Sequence, residues 1–450
     1  MSNTQWPDPR DCAELTPHQQ QVASSALAGR VGVFAGSPGT GKTFSAAALI
    51  RRIVAEHGEH SIAIAAPTGK AAVRCTSSLR ANGVAGVEAK TIHRLLAIDK
   101  AGYDGNGWTF QFNKRNPLLQ RFVIIDEASM LDVDLAASLL KACGPQTHLL
   151  FIGDPYQLPP VGHGATLRDM IASNRIPYGE LTEIRRNSGF VVKALRDIKD
   201  GRLFDPPTSI NLEAGDNWRH FETRSPAQSI AQLKLTLTSL PSRFDPVWDV
   251  QVLVAVNEKS PLGRKDINVM LQDLLNPHGQ RVDKVPFRVG DKVIFTQNTF
   301  LPLVKTDGGG EDGKEFVANG ELGKVLVVDP KKMTVEFASP ARRCIVPLAK
   351  SSEDGGDSSP SAGVGGFDLG FAITTHKAQG SQAPIIITLI DDYGGANMVT
   401  SREHAYTSIS RMETLVITIG KWSTFQQQCK KVALGTRKTF LAERLRELIA

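Results

Sequence analysis

The chain has 450 residues, enough for two or three domains, and is 41% apolar and 22% charged, the balance of a globular protein rather than a disordered or membrane-embedded one. Its 52 basic and 46 acidic residues leave a net charge of +6, which permits a polyanionic partner without demanding one. No apolar run approaches bilayer length, Met1 to Arg10 lacks a signal-peptide core, and the five cysteines (12, 75, 143, 344 and 429) include no C-x-x-C pair; a membrane span, a secretory leader, a zinc site and a disulfide framework are not expected, and a reducing, cytoplasmic setting is.

Residues 1–15 read as a flexible lead-in. Thr16-Pro17-His18-Gln19 then opens a helix, with Thr at the N-cap, Pro at N1 and Gln at N3. Val31 to Phe34 reads as a buried strand and Phe44 to Glu56 as a helix with one apolar face. Between them lies Gly36-Ser37-Pro38-Gly39-Thr40-Gly41-Lys42-Thr43, a complete G-x-x-x-x-G-K-[ST] loop in the strand–turn–helix context the motif needs. Backbone N–H groups of Gly36, Gly39, Thr40, Gly41 and the helix start can close on a polyphosphate, with Pro38 shaping the loop that holds it. Lys42 can reach the β- and γ-phosphates, and Thr43 can ligate Mg²⁺. ATP and Mg²⁺ are therefore the expected ligands.

Strands at Ser61–Ala66, Phe122–Ile125 and Leu149–Ile152 continue an α/β pattern to about residue 155, which predicts a doubly wound parallel sheet. Residues 97–118 interrupt it: glycines at 102, 105 and 107 precede the alternating Trp108, Phe110 and Phe112, the pattern of a small hairpin. Asp126-Glu127 ends the third strand, where a phosphate-loop enzyme needs an acid for Mg²⁺ (Asp126) and an acid to polarise the attacking water (Glu127). Gly153-Asp154-Pro155-Tyr156-Gln157-Leu158-Pro159-Pro160 ends the fourth. Gln157 is placed to contact a γ-phosphate, or the segment is simply a Pro-rich turn.

A second α/β pattern has strands at Val250–Val256, Pro384–Leu389 and Leu415–Ile419 and helices at Arg264–Leu275 and Arg402–Ser410. Between its parts, about 280–350, short alternating strands predict a small β-barrel. Ser351 to Gly366 is Ser/Gly/Asp-rich without apolar pattern, which predicts a disordered loop.

The ordered set resembles the superfamily 1 helicases, specifically the RecD-like/Dda-like branch. The residues that carry the resemblance are the phosphate loop, Ala66-Pro67-Thr68-Gly69-Lys70-Ala71-Ala72, Thr91-Ile92-His93-Arg94-Leu95, Asp126-Glu127-Ala128-Ser129, Gly153–Pro160, His376-Lys377-Ala378-Gln379-Gly380 and Tyr406-Thr407-Ser408-Ile409-Ser410-Arg411. Together they span about residues 15 to 422. The resemblance implies two RecA-like domains: the first over 16–178 with a pin inserted at about 97–118, the second over 179–278 and 367–450 with an SH3-like barrel inserted at 279–366.

It also implies residue roles. Gln19 stands where the branch reads adenine, alongside its own capping-box role. Gln379 and Gly380 fall in a nucleotide motif of the second domain, and Arg411 would neutralise charge on the γ-phosphoryl group. Leu181 to Asn187 resembles a motif ending Arg-Gln, so Arg186 would also meet the γ-phosphate; Asn187 replaces the usual Gln, and Arg185 competes for the role. Gln382 stands where Glu is more frequent, which leaves that acid's role open.

Pro67, Thr68, Lys70, Thr91 and His93 in the first domain, and Thr374, Thr375 and His376 in the second, are implied to touch single-stranded DNA, with local turn hydrogen bonds as the competing role for each Thr or His. Trp108, Phe110 and Phe112 would cap a duplex junction, or pack the hairpin onto its domain. The expected protein is a monomeric ATP-dependent 5′→3′ DNA helicase acting on single-stranded and forked DNA near the nucleoid. A translocase with little unwinding and a regulatory ATP-binding subunit of a nuclease complex are the alternatives, and RNA is not excluded as the strand.

Overall fold

The computed structural model describes residues 5–103, 108–183, 189–304, 311–338, 341–348, 366–433 and 439–448. The chain forms two compact units, one of residues 1–188 with 432–450 and one of residues 189–431. Among the described residues no helix is long and apolar enough to cross a membrane.

The first unit runs α1 (Pro17–Ala26), β1 (Val31–Gly36), α2 (Lys42–His57), β2 (Ile62–Ala66), α3 (Gly69–Ala81), β3 (Ala89–Thr91) and α4 (Ile92–Leu96). It continues through β4 (Ile98–Tyr103), β5 (Trp108–Phe110), β6 (Phe122–Ile125), α5 (Val133–Ala142), β7 (His148–Gly153), α6 (Thr166–Ser173) and β8 (Tyr178–Leu181). Its sheet has six strands in the order β3-β2-β6-β7-β1-β8, and every pairing is parallel. Strands covered by helices on both faces must be apolar throughout; β2, β6 and β7 are buried at every position. One face packs Phe34, Leu49, Ile50 and Phe122; the other packs Val33, Leu96, Val123 and Phe151.

Two expectations change here. The expected domain boundary at 178 falls at the start of β8, which pairs with β1 through Val33↔Tyr178 to Gly36↔Leu181. The first sheet therefore keeps the chain through Leu181. Nor are residues 5–15 a loose lead-in. Trp6 lies against Phe122 at 5.3 Å and donates its indole N–H to Gly29 O at 2.9 Å, while Cys12 and Leu15 are buried. An aromatic side chain so placed contributes enough apolar burial to order a short polar segment.

The second unit comprises α7 (Gly189–Asp200), β9 (Trp218–Glu222), α8 (Pro226–Thr238), β10 (Val250–Val254) and α9 (Arg264–Leu275), then β11 (Lys292–Phe295), β12 (Thr299–Val304), β13 (Glu311–Val317), β14 (Leu322–Val328), β15 (Lys332–Ala338), β16 (Ala341–Pro347) and β17 (Phe367–Leu369). It closes with β18 (Ala372–Thr374), β19 (Ala383–Leu389), α10 (Gly394–Val399), α11 (Arg402–Ile409), β20 (Met412–Gly420) and α12 (Trp422–Lys430). A five-stranded sheet has the order β18-β10-β19-β20-β9, again with parallel pairing.

Inserted between α9 and β18 is a seven-stranded sheet in the order β13-β12-β16-β15-β14-β11-β17, antiparallel at each pairing. It has its own core, with Phe287, Phe295, Val335, Phe337 and Phe367. The insertion runs three residues past the expected boundary at 366, because β17 pairs with β11 from Phe295↔Phe367 to Val293↔Leu369. The Ser351–Gly366 loop expectation lies outside the described residues except for Gly366.

The last helix, α13 (Leu441–Leu448), belongs to the first unit, not to the second domain expected for 367–450. Thr439 Oγ1 donates to Asp169 Oδ2, and Arg446 Nη2 donates to Ala172 O at 2.6 Å.

Within the inserted sheet Arg342 Nη2 meets Glu321 Oε2 at 2.7 Å, with the side chains 6% and 5% exposed. A buried pair that loses one member leaves an uncompensated charge, at about 3–5 kcal/mol. Glu321→Ala should therefore lower the thermal melting midpoint sharply. Glu258→Ala, which removes the exposed partner of Lys265, should shift it by less than the equivalent of about 1 kcal/mol. Calorimetry of both variants checks the contrast.

Candidate nucleotide site and nucleic-acid face

Parallel pairing brings three strand ends together. Ala35 pairs with Gly153 at the end of β7, and Phe151 of β7 pairs with Ile125 at the end of β6. The phosphate loop, the Asp154–Gln157 turn and the Asp126-Glu127 pair thus share the C-terminal edge of one sheet, where open α/β sheets bind ligands.

The loop is built to leave donors available. Gly39 and Gly41 have φ of 81° and 88°, a region that disfavours any Cβ. Gly41 is the N-cap of α2 and supplies no side-chain acceptor, so the first N–H groups of that helix face outward as an anion site. Thr40 Oγ1 donates to Ser37 O at 2.7 Å and pins the turn. Lys42 Nζ curls back onto the carbonyls of Gly36 and Ser37. Gly36 is needed for close approach, since a Cβ there would stand 2.7 Å from Thr40 Oγ1 and 3.0 Å from Leu181 Cβ.

Asp126 accepts the Glu127 N–H at 2.9 Å. Burial, with the neighbouring Glu127 charge second, pushes the Asp126 carboxyl up to about 6; the Arg74 and Lys42 charges oppose that rise. Glu127 sits at φ 51°, a left-handed conformation that is costly for a non-glycine and concentrates at functional sites. Arg74 Nη1, from α3, lies 3.6 Å from Glu127 Oε1. Gln157 Nε2 donates to Asp154 Oδ2 at 3.3 Å, and both side chains are buried. Arg74 and Asp154 were not singled out from sequence. The signal for Arg74 was present as its i+4 spacing from Lys70 on one helix face.

Gln19 completes a capping box: its N–H donates to Thr16 Oγ1 at 3.3 Å, and its Oε1 accepts the Thr16 N–H at 3.1 Å. The threonines expected at DNA carry local bonds as well. Thr68 caps α3 by accepting from Ala71 N, Thr91 caps α4 by accepting from Arg94 N, and Thr374 accepts from Lys377 N. Thr375 is fully buried, so the side chain has no surface to offer a strand. Pro67, Thr68 and Lys70 follow β2, whose neighbour in the sheet is β6, while Thr91 ends β3, the strand on the other side of β2. His93 is half-buried, which lowers its pKa, and its ring lies 5.9 Å from Phe110.

The hairpin is present as β4 paired antiparallel with β5, through Ile98↔Phe110 and Tyr103↔Trp108. Phe110 and Phe112 pack against the core of the first unit, so the packing reading holds for those two. The turn residues 104–107 and the Trp108 side chain lie outside what is described, and so does Arg186.

In the second unit, His376 to Gly380 follows β18, with the His376 ring 6.4 Å from His404 of α11. Gln379 N donates to His376 O at 3.2 Å, and Gly380 turns the chain at φ 73°. Arg411, just after α11, is buried and donates to Thr407 O (3.2 Å) and Ser410 Oγ (3.1 Å).

Residues 19–163 match the family described as an AAA domain. The whole chain aligns with the ATP-dependent RecD2 DNA helicase of Deinococcus radiodurans at 30% identity, over 99% of this chain and 54% of that protein. The RecBCD enzyme subunit RecD of Mycolicibacterium smegmatis is 26% identical over 95% of this chain and 74% of its own. The chain is therefore similar to RecD-type proteins over nearly its whole length. The fold resembles that of the Bacteroides Pif1 helicase solved with ADP-AlF3 and ssDNA, which superimposes with a TM-score of 0.51 over 96% of this chain and 97% of that one, at 18% identity. The chain spans about half the length of the RecD2 relative.

Because the Gln19 side chain closes the capping box, Gln19→Ala should destabilise the first unit by about 1 kcal/mol. Thermal melting of the variant beside the parent measures it.

Proposed function

We propose that the chain is an ATP-driven motor that moves 5′→3′ along single-stranded DNA and separates duplex ahead of it. The observation that carries this reading is the shared sheet edge, where a donor-rich phosphate loop, an acid pair and a buried Gln–Asp pair meet beside the candidate DNA-contacting residues of β2 and β3. Lys42 would pair with the β- and γ-phosphates, held by backbone N–H groups of the loop from Gly39 to Gly41 and of the start of α2. Glu127 would orient the attacking water, and Gln157, positioned by Asp154, would report the γ-phosphate. Gln379, Gly380 and Arg411 are the proposed nucleotide contacts of the second unit.

The donor set fits Mg²⁺. Asp126 and Thr43 offer hard oxygen ligands, and the raised Asp126 pKa beside a second carboxylate marks a position that gains from a cation. Bound there, the ion would neutralise charge on the transferred phosphoryl group. Asp126 and Thr43 would hold it, and the polyphosphate would supply further oxygens.

Thr68, Lys70, Thr91 and His93, with Thr374 and His376, are the proposed strand contacts, through backbone groups where the hydroxyl is already a cap. The β4–β5 hairpin is read as the pin, with Trp108 as its junction residue, since Phe110 and Phe112 anchor the hairpin. The seven-stranded insertion is read as the SH3-like barrel. Differential grip on DNA in two nucleotide states would couple hydrolysis to movement.

Lys42→Ala should abolish ATP turnover and leave nucleotide-free DNA binding largely intact. Glu127→Gln should bind nucleotide but lose about 10²-fold or more in kcat. Turnover by Glu127→Gln at the parent rate would refute the assignment of the acid pair.

Polarity gives a separate test. Forks with a 5′ single-stranded tail should open in a strand-displacement assay, and forks with only a 3′ tail should not. Opening of 3′-tailed forks alone would reverse the proposed direction.

A further inference from the structure

α3 touches both sides of the proposed motor chemistry. At its N-terminus Thr68 caps the helix and Lys70 lies in the first turn. One turn on, Arg74 Nη1 stands 3.6 Å from Glu127 Oε1. The next residue, Cys75, is buried beside Asp126. Thr76 Oγ1 accepts the Ala89 N–H at 2.9 Å, which ties the same helix to β3 and so to Thr91 and His93. Behind it, Asp126 N donates to Ala65 O at 2.8 Å, so the acid pair and the start of α3 hang from neighbouring strands. A helix of 13 residues thus carries candidate DNA contacts and a guanidinium on the candidate water-orienting acid.

A carboxylate engaged by a guanidinium is turned toward that partner, and its electron density is drawn from any water it might orient. The backbone of Glu127 is held at φ 51° and ψ 38°, a left-handed setting that is costly for a non-glycine and that its surroundings must maintain.

We propose that Arg74 is a positioning residue that restrains Glu127 in the DNA-free protein, and that a strand engaging Thr68, Lys70, Thr91 and His93 shifts α3 and releases it. This rests on the proposed motor reading and adds to it the route by which DNA accelerates hydrolysis. The restraint is modest. Arg74 is 39% exposed and Glu127 17%, and partly exposed ion pairs contribute little; the expected gate is about two- to five-fold.

The test is steady-state ATP turnover by the full chain, with and without saturating oligo-dT. Arg74→Ala, and Arg74→Gln as a second variant that keeps most of the stem, should raise DNA-free kcat about two- to five-fold. kcat with oligo-dT and KM for ATP should stay at parent values, so the stimulation ratio falls by the same factor. Arg74→Lys, which keeps the charge, should restore most of the restraint. In a Glu127→Gln background Arg74→Ala should leave the residual DNA-free rate unchanged, since the restrained group is gone. A DNA-free kcat at or below the parent in both Arg74→Ala and Arg74→Gln overturns the proposal. So does an equal effect of Arg74→Ala with and without Glu127. Failure of the motor reading looks different: the parent would then hydrolyse ATP no faster than Lys42→Ala, or would not respond to oligo-dT.

Discussion

Parallel strand pairing is the constraint on which the first unit depends. β1, β7, β6 and β2 run the same way, hydrogen-bonded in register from Val31↔Leu149 to Ile62↔Phe122. All of their C-terminal ends therefore open on one edge. Sequence-distant segments at 36–43, 68–74, 126–127 and 154–157 become neighbours without any long side chain reaching for another. The apolar residues that make these strands buried on both faces fix the register, and the register fixes the distances at the edge.

The same arrangement explains why charge accumulates there at tolerable cost. Strand ends leave the core just where polar side chains are wanted. Asp126 is still buried enough to hold its carboxyl near 6, while Glu127 one residue later is bent out by a left-handed backbone. Arg74 and Lys42 each lower that Asp126 pKa, so the edge is a balanced cluster of two acids and two bases. Such a cluster responds to small displacements of any member.

Much of this was legible in the sequence. The phosphate loop, the strand before the acid pair and the apolar strands of both parallel sheets follow from local pattern, because glycine punctuation and unbroken apolar runs have few other meanings. What pattern missed is tertiary. Tyr178–Leu181 is a short edge strand with no length to signal it, and its place is set by pairing with β1. Trp6 is ordered by a partner more than a hundred residues away. Of the threonines read as DNA contacts, Thr68 and Thr91 spend their hydroxyls on helix caps and Thr374 on a turn, local bonds that sequence can propose but not rank. Arg74 sits in an ordinary amphipathic helix, and only the sheet order brings it to Glu127.

The return of the chain at α13 has a consequence for synthesis. Leu445 reaches the core beside α6, and Thr439 and Arg446 bond to Asp169 and Ala172. A ribosome delivers those residues only after all of 189–431 has emerged. The flank of the first unit that α13 covers must therefore stay open while the second unit is being made. Its nascent form exposes apolar surface for that interval, the condition under which a multidomain chain is prone to misassociate. A chain truncated before 439 would keep every strand of both parallel sheets and still carry that uncovered flank.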